Sequence, residues 1–562
     1  MLKKLIGKPW ILCLLISTNL FSQSLYLKVN GSNENETKII DSLGYKKQFQ
    51  DYAYLNHEII DLKKRIENIG YLESESAGVA KENDSTFLAL VHLKNRYKSI
   101  SIYYRGVIDK KTLSFVSTNI TDTHFEIRFE KLEETLDFLN AQLAEKGHPF
   151  SSLKIQNIKK QKDFTLIGEL TASNQEQRTI DTIIVKGYEK FPKPFIKYYL
   201  KLKPKQLLSL KTINEKTLEL DNLSFANQIR EPELLFTKDS TSLYIYVEKT
   251  KSNAFDGFLG FGTNNQTNKV EFNGYLNLNL VNNLNYGESF KLYYKSDEGE
   301  QRTFDIKMNL PYIFGSALGT ELRLNIFKKD SSFVTVAQSA KLIYQLDAKN
   351  LVSLGIHSET SNNLLDNNVT LINDYRSLFY FVNYSYLRAQ KLDPLFPVNF
   401  LFDITLGTGN RTIDSVKENQ NRFSLETHKI FNLSEKNSIF TRFTSSILTS
   451  DNYLDNELLR FGGINSIRGF EENSLLANLF AVINTEYRYR LSNALFVHSI
   501  LDAAYFENKN IVTKQKLFGF GFGFGLFTKA GLFKFNYSGG KIENQMFKFS
   551  DSKIHISLST TF

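Results

Sequence analysis

The chain contains a single cysteine, Cys13. It lies in the apolar run "WILCLLI", which follows Lys3, Lys4 and Lys8 and precedes "STNLFSQS", a stretch of small and polar residues suited to cleavage near Ser22. Residues 1–22 therefore read as an export signal. The run is too short to span a bilayer as a helix, which takes about 20 residues. Leu12 stands where a lipoprotein signal needs a small residue, which argues against lipidation at Cys13. Once the signal is removed no thiol remains, so disulfides and cysteine-ligated metals are excluded. Tryptophan occurs once and proline nine times. The eight histidines are scattered without metal-ligand spacing, and no G-x-S-x-G elbow occurs. The chain is expected to be non-enzymatic, with no metal and no cofactor. Positive charge is modest. Loss of Lys3, Lys4 and Lys8 lowers the net charge from +9 to +6, spread along the chain and not gathered into the stripe that nucleic acid requires.

Phenylalanine and tyrosine are plentiful, at 46 and 28 residues, which favours strands and apolar outer faces over helical bundles. At 562 residues the chain is too long for one ordinary core. Its first part carries a weak repeat. A short strand ends in glycine three times, in "LYLKVNG" at Gly31, "ISIYYRG" at Gly106 and "IDTIIVKG" at Gly187. Two helical patterns also end in glycine, "LNHEIIDLKKRIENIGY" at Gly70 and "FEKLEETLDFLNAQLAEKGHPF" at Gly147. In the second, Leu132, Leu136, Leu139 and Leu143 form one apolar stripe at helical spacing, and Gly147 suits the C-cap. The third unit offers "PKPFIKYYLKL", "LLSLKTINEKTLELDNL" and two closing strands. The repeat is strand, helix, helix, strand, strand, which predicts small α+β units over residues 23–98, 99–177 and 178–252. The stretch from Ser32 to Ala53 is polar and poorly periodic, so two units and three both stay open.

From Ala254 onward the pattern changes to about sixteen runs that alternate with period two, separated by Asn, Asp, Gly, Ser and Lys. In "KIHISLSTTF", Ile554, Ile556, Leu558 and Phe562 share one face while Lys553, His555, Ser557 and Ser559 share the other. Tilted membrane strands of about 9–11 residues place apolar groups outward and polar groups inward. Closure also removes the edges that so large an open sheet would expose. Residues 254–562 therefore predict a transmembrane antiparallel β-barrel. In "LFGFGFGFGLF", Phe518, Phe520, Phe522 and Phe524 fall on the lipid face. Gly519, Gly521, Gly523 and Gly525 fall on the lumen face, where something approaches the backbone closely.

With "FGGINSIRGFEEN" placed between the eleventh and twelfth runs, the chain resembles the BamA/TamA superfamily of outer-membrane assembly and secretion proteins. These have periplasmic POTRA domains and a sixteen-stranded barrel, and three units suit its TamA-like members. The resemblance covers nearly all of the chain after the signal. It implies that the Arg-Gly-Phe core, Arg468, Gly469 and Phe470, folds back into the lumen and is held by acidic residues of strands twelve and thirteen, here Glu486 and Asp502. A buried guanidinium needs such carboxylates, and its planar fork can satisfy two oxygens at once. The four glycines of the Phe-Gly run would leave space for the loop.

The resemblance further implies insertion or secretion of unfolded outer-membrane or secreted client proteins from a Gram-negative outer membrane, without nucleotide hydrolysis. The POTRA domains would lie in the periplasm, where a periplasm-spanning partner protein could also dock, and the barrel would sit in outer-membrane lipid. The expected working part is a seam between the first and last strands, carried by Phe255, Gly257, Gly260, Gly262, Ile556, Leu558 and Phe562. Its glycine-rich edge would open and template an incoming strand. The alternatives are a two-partner-secretion translocator and a passive porin or receptor barrel. A porin explains the strands but not the preceding repeats.

Overall fold

The computed structural model describes residues 24–263, 270–296, 301–365, 371–390, 393, 395–528, 531–546 and 552–561. The signal expected over residues 1–22 and the terminal Phe562 lie outside the described residues. The chain divides into two compact units. The first runs to Arg178 and takes in Leu207–Ser209; the second comprises the remainder.

Two sheets build the first unit. In the first sheet, Leu25–Gly31 pairs in parallel with Thr86–His92, which pairs antiparallel with Glu75–Lys81; the short strand Gln48–Phe49 lies outside Leu25–Gly31. The helix Tyr52–Asn68 starts at Asp51, whose carboxylate accepts the N–H groups of Ala53 and Tyr54. It buries Leu55, Leu62 and Ile66 against Leu27, Val29 and Ala89 of the sheet. The polar stretch after Ser32 holds another helix, Glu34–Ser42. Asn33 caps it by accepting the Glu36 N–H, and Glu36 reaches back to the Ser32 N–H at 3.0 Å. Ile40 is fully buried and Ile39 packs on the same core, so the helix is held by its cap and by a short apolar contact. A Cβ on Gly31 would collide with Glu36 and Thr37, which explains a glycine where the strand meets this helix.

The second sheet has the order Asn119–Ile120, His124–Arg128, Ser99–Tyr103, Thr165–Ser173, Ser152–Lys160. The hairpin Asn119–Arg128 is additional to the strand and helix repeat; its strands of two and five residues are too short to show periodicity. The helix Leu132–Glu145 buries Leu139, and Leu132, Leu136 and Leu143 pack on the same core. Gly147 takes φ +91°, and the His148 N–H donates to the Leu143 carbonyl at 3.0 Å, closing the helix with a left-handed residue.

The second unit opens with a three-stranded sheet, Thr182–Lys186, Thr241–Lys249, Ala226–Phe236. The stretch "PKPFIKYYL" is a single π-helical turn, Phe195–Tyr199, entered through two prolines, and the regular helix is Leu210–Leu218. Four residues after this sheet the barrel begins. Its sixteen strands run from Ala254–Thr263 to Lys553–Thr561, each antiparallel to its neighbours. The second, fourth and sixth are Val270–Val281, Gln301–Leu310 and Phe333–Gln345; the seventh to tenth are Asn350–Asn363, Tyr375–Ala389, Val398–Ile413 and Val416–Asn432; the fourteenth and fifteenth are Thr513–Thr528 and Gly531–Ile542. Along it, Leu342, Leu354, Val382 and Leu406 stand in register on four successive strands, each 46–55% exposed. So broad an apolar face suits lipid, not water. No helix among the described residues is long and apolar enough to cross a membrane.

The small sheet is docked on the barrel turns. The Tyr188 hydroxyl donates to Asn285 Oδ1 at 2.7 Å and accepts from Asn282 Nδ2 at 2.8 Å, on the turn after the second strand. Phe195 meets Tyr312 edge to face at 4.8 Å on the turn after the fourth, and Lys349 after the sixth pairs with Glu219 at 2.6 Å. This end is the domain side of the barrel.

Candidate functional site: the inward loop and the closing seam

Strand eleven, Asn437–Thr449, and strand twelve, Leu479–Arg490, are joined at the far end by residues 450–478. The loop first makes a small hairpin, Leu459–Phe461 with Leu475–Ala477. Its tip then turns into the bore through Gly462 and Gly463, at φ +110° and +91°.

At the tip, Arg468 is buried, its side chain 6% exposed. Strand thirteen, Leu495–Asn508, turns its even residues inward and so presents Asp502, fully buried. Both oxygens of Asp502 are used. Oδ1 accepts from Nη2 of Arg468 at 2.6 Å, while Oδ2 accepts from Nε at 2.8 Å and from the Arg468 backbone N–H at 3.0 Å. Nη1 of Arg468 donates to Glu486 Oε1 of strand twelve. The other oxygen of Glu486 takes Arg488 at 2.8 Å, and His498 Nδ1 lies 3.9 Å from it. Two guanidinium groups thus face two carboxylates, so the cations are not left unpaired in the wall.

Glycines set how closely the tip approaches. Gly469, at φ +90°, lies against the backbone of Gly539 and Gly540, and a Cβ on Gly540 would meet Gly469 and the Phe470 ring. A Cβ on Gly519 would collide with the Arg468 carbonyl. Of the four glycines expected to make room for the loop, Gly519 alone does so among these contacts. Gly521 faces the Tyr537 carbonyl, Gly523 faces Asn536 and His498, and Gly525 faces Phe496. The remaining space comes from Gly539 and Gly540 on strand fifteen, which no repeat or alternation in the sequence marks. Phe470 packs on a cluster containing Phe461, Ile467, Phe480 and Phe506.

Further holds on the loop carry no motif. Asn484 Nδ2 donates to the Ser466 carbonyl at 2.7 Å and Arg442 Nη2 to the Asn465 carbonyl at 2.9 Å. Glu471, next to the Arg-Gly-Phe core, pairs with Lys553 of the last strand at 3.0 Å. Before the hairpin, Glu457 pairs with the fully buried Arg411 at 2.7 Å, and Asn456 donates to Ser361 and to the Asn373 carbonyl. The loop is therefore fastened along a continuous stretch of the wall, to strands seven to ten through residues 456–457 and to strands eleven to sixteen through residues 465–471.

At the seam, the first strand pairs with the second through ten residues, including Gly257, Gly260 and Gly262. With the last strand it pairs at two positions, Ala254 with Thr561 and Phe255 with Thr560. Continuing that register would set Gly257 opposite Leu558, but no further pair forms among the described residues. The last strand pairs on its other side through seven residues, with Ile556 opposite Phe535 and Leu558 opposite Phe533. Phe562, assigned to the seam from sequence, lies outside the described residues.

No protein-family model matches the sequence, and no curated protein matches it. Solved structures do. CdiB from Escherichia coli is 12% identical, with 94% of this chain and 98% of that chain covered and a TM-score of 0.53. CdiB from Acinetobacter baumannii is 13% identical, with 77% and 82% covered and a TM-score of 0.51. BamA from Haemophilus ducreyi lacking POTRA domains 1–3 is 13% identical, with 81% and 97% covered and a TM-score of 0.48. By the two CdiB matches, this chain has the fold of CdiB: small α+β domains leading into a closed sixteen-stranded barrel.

Proposed function

We propose that this chain is an outer-membrane translocation or assembly factor that inserts or secretes β-rich client proteins. The domains before the barrel receive clients in the periplasm, and the seam between the first and last strands is where a client strand is templated. The observation that carries this reading is the imbalance of the first strand, with ten pairs on one side and two on the other. Its unpaired N–H and C=O groups are an edge inside a nominally closed sheet, and an incoming strand satisfies them by backbone hydrogen bonding. Gly257, Gly260 and Gly262 lower the cost of leaving the old partner, since strand glycines pack little. The loop supports the same reading, because its tip holds strands twelve to fifteen through Arg468 and Gly469 and touches the last strand through Glu471. Strand exchange of this kind needs no catalytic group, metal or nucleotide. Three sheets before the barrel suit a TamA-like member, and a partner protein would dock on their edges.

The test is a cysteine pair at Ala254 and Thr561 in the full chain, whose one other cysteine lies in the expected signal. Oxidation is expected to abolish client insertion or secretion and reduction to restore it. Full activity in the oxidised form would refute the seam. A passive porin, by contrast, would conduct equally in both forms and would assemble nothing.

A further inference from the structure

The connection between strands eight and nine, residues 390–397, lies at the domain side of the barrel. Its counterparts at 433–436 and 491–494 are half as long and almost wholly exposed. Here the described residues Leu395 and Phe396 fold inward. Leu395 and Phe396 are 4% and 8% exposed, in a cluster with Ile430 of strand ten and Phe496 of strand thirteen, against Phe440 of strand eleven and Leu532 of strand fifteen. Phe396 meets Phe496 edge to face at 4.7 Å. The apolar cluster thus spans the arc from the start of strand nine to strand fifteen, in a bore whose wall elsewhere carries polar groups such as Asp305, Arg323, Glu359 and Arg422.

The turn is fastened at both ends. Asp393 accepts the N–H groups of Leu395 and Phe396 at 3.2 and 3.3 Å, and pairs with Arg490 of strand twelve. Gln390 Nε2 donates to the Phe396 carbonyl at 2.8 Å. Arg488 ties the turn to the loop tip. Its guanidinium lies 4.5 Å from the Phe396 ring and 4.0 Å from Phe440, while it also pairs with Glu486, the carboxylate that holds Arg468.

We propose that Leu395 and Phe396 form an apolar gate at the domain-side mouth of the bore, coupled through Arg488 to the inward loop. Barrel interiors are ordinarily polar, and an apolar constriction in an aqueous bore stops ions by excluding water. The loop fastens the bore from the far side, so the gate is a second barrier in series with it. It goes beyond the seam reading and does not depend on any client.

The test is single-channel conductance of the full-length protein in planar bilayers, with heat-modifiable mobility on gels as the check that each variant is folded. Phe396→Ala is expected to raise the open-state conductance or open time by at least about threefold over the native protein, as loss of an apolar constriction implies. Arg490→Gln leaves the apolar cluster intact but releases Asp393, and is expected to raise open time. If Phe396→Ala fails to fold, Arg490→Gln decides. Phe431→Ala, on the outer face of strand ten, serves as control and is expected to match the native trace. Native-like conductance in every folded gate variant would overturn the proposal, whatever the seam disulfide does to client handling. Native protein that already conducts as the variants do would overturn it too.

Discussion

Asp502 Oδ2 accepts two hydrogen bonds from one residue, from Nε of Arg468 at 2.8 Å and from the Arg468 backbone N–H at 3.0 Å. A carboxylate that reads both side chain and main chain fixes the position of the loop as well as its charge. Arg468→Ala should strand Asp502 and Glu486 in the wall, a loss of about 3–5 kcal/mol for one member of a buried pair. Arg468→Lys keeps the backbone bond and the charge but loses the fork, so it should fall between native and alanine. The measurement is the temperature at which the heat-modifiable gel band is lost. A native midpoint for Arg468→Ala would refute the latch.

Gly519 and Gly407 are both barrel glycines with different neighbours. A Cβ at 519 collides with the Arg468 carbonyl, whereas at 407 the nearest atom is 3.5 Å away. Gly519→Ala is expected to destabilise by about 1–3 kcal/mol, as overpacking does, and to displace the loop tip. Gly407→Ala is expected to be neutral in the same gel assay. Equal behaviour of the two would show that the tip is not seated against strand fourteen.

The outer fastening should respond differently. Glu457→Gln leaves Arg411 with Glu418 as its ionised partner. Residues 450–478 should then become more sensitive to protease added outside intact cells, while the heat-modifiable midpoint drops less than for Arg468→Ala. Unchanged protease resistance would assign the loop's position to its tip alone.

Acid should loosen the second sheet's domain at one identifiable point. The carboxyl of Asp109 is held well below the usual carboxylate range by the Lys146 ammonium and then by the Thr112 N–H. A depressed folded value means that the stabilisation is complete above the ordinary Asp value near 3.9 and is lost only as pH falls below it. Lys146→Met raises that value toward normal, so the variant has less of this stabilisation above about pH 3.9 and less of it to lose below. Hydrogen exchange of residues 110–116 across a pH series should be faster than native at neutral pH in the variant, with a smaller further rise on acidification. An acid response equal to the native one would assign acid sensitivity to another group.

The barrel was legible because alternation with period two survives over hundreds of residues, and because lipid outside and polar groups inside make that alternation obligatory. Arg468 was legible because a long cation beside glycine and an aromatic between two strands needs partners, and the facing positions of the next two strands offered Glu486 and Asp502. Glu457 and Arg411 were not, since nothing local marks a pair that forms only when strand nine and the loop meet across the barrel. No repeat or alternation marks Gly539 and Gly540, and only strand register shows them mid-strand. The inward placement of Leu395 and Phe396 was not legible, because two apolar residues in a connection carry no periodicity. The helix Glu34–Ser42 escaped because its only apolar residues, Ile39 and Ile40, are adjacent and make no repeating stripe.

The docking of the three-stranded sheet has a mechanical consequence. Tyr188, Phe195 and Glu219 clamp that sheet to the turns after strands two, four and six, while the loop grips strands twelve to sixteen. The two-rung closure falls between these arcs, and strand one leaves the sheet after a tether of four residues, 250–253. Torque on the sheet would therefore be delivered as leverage to the weakest rungs of the cylinder, with the gripped arc as its fulcrum.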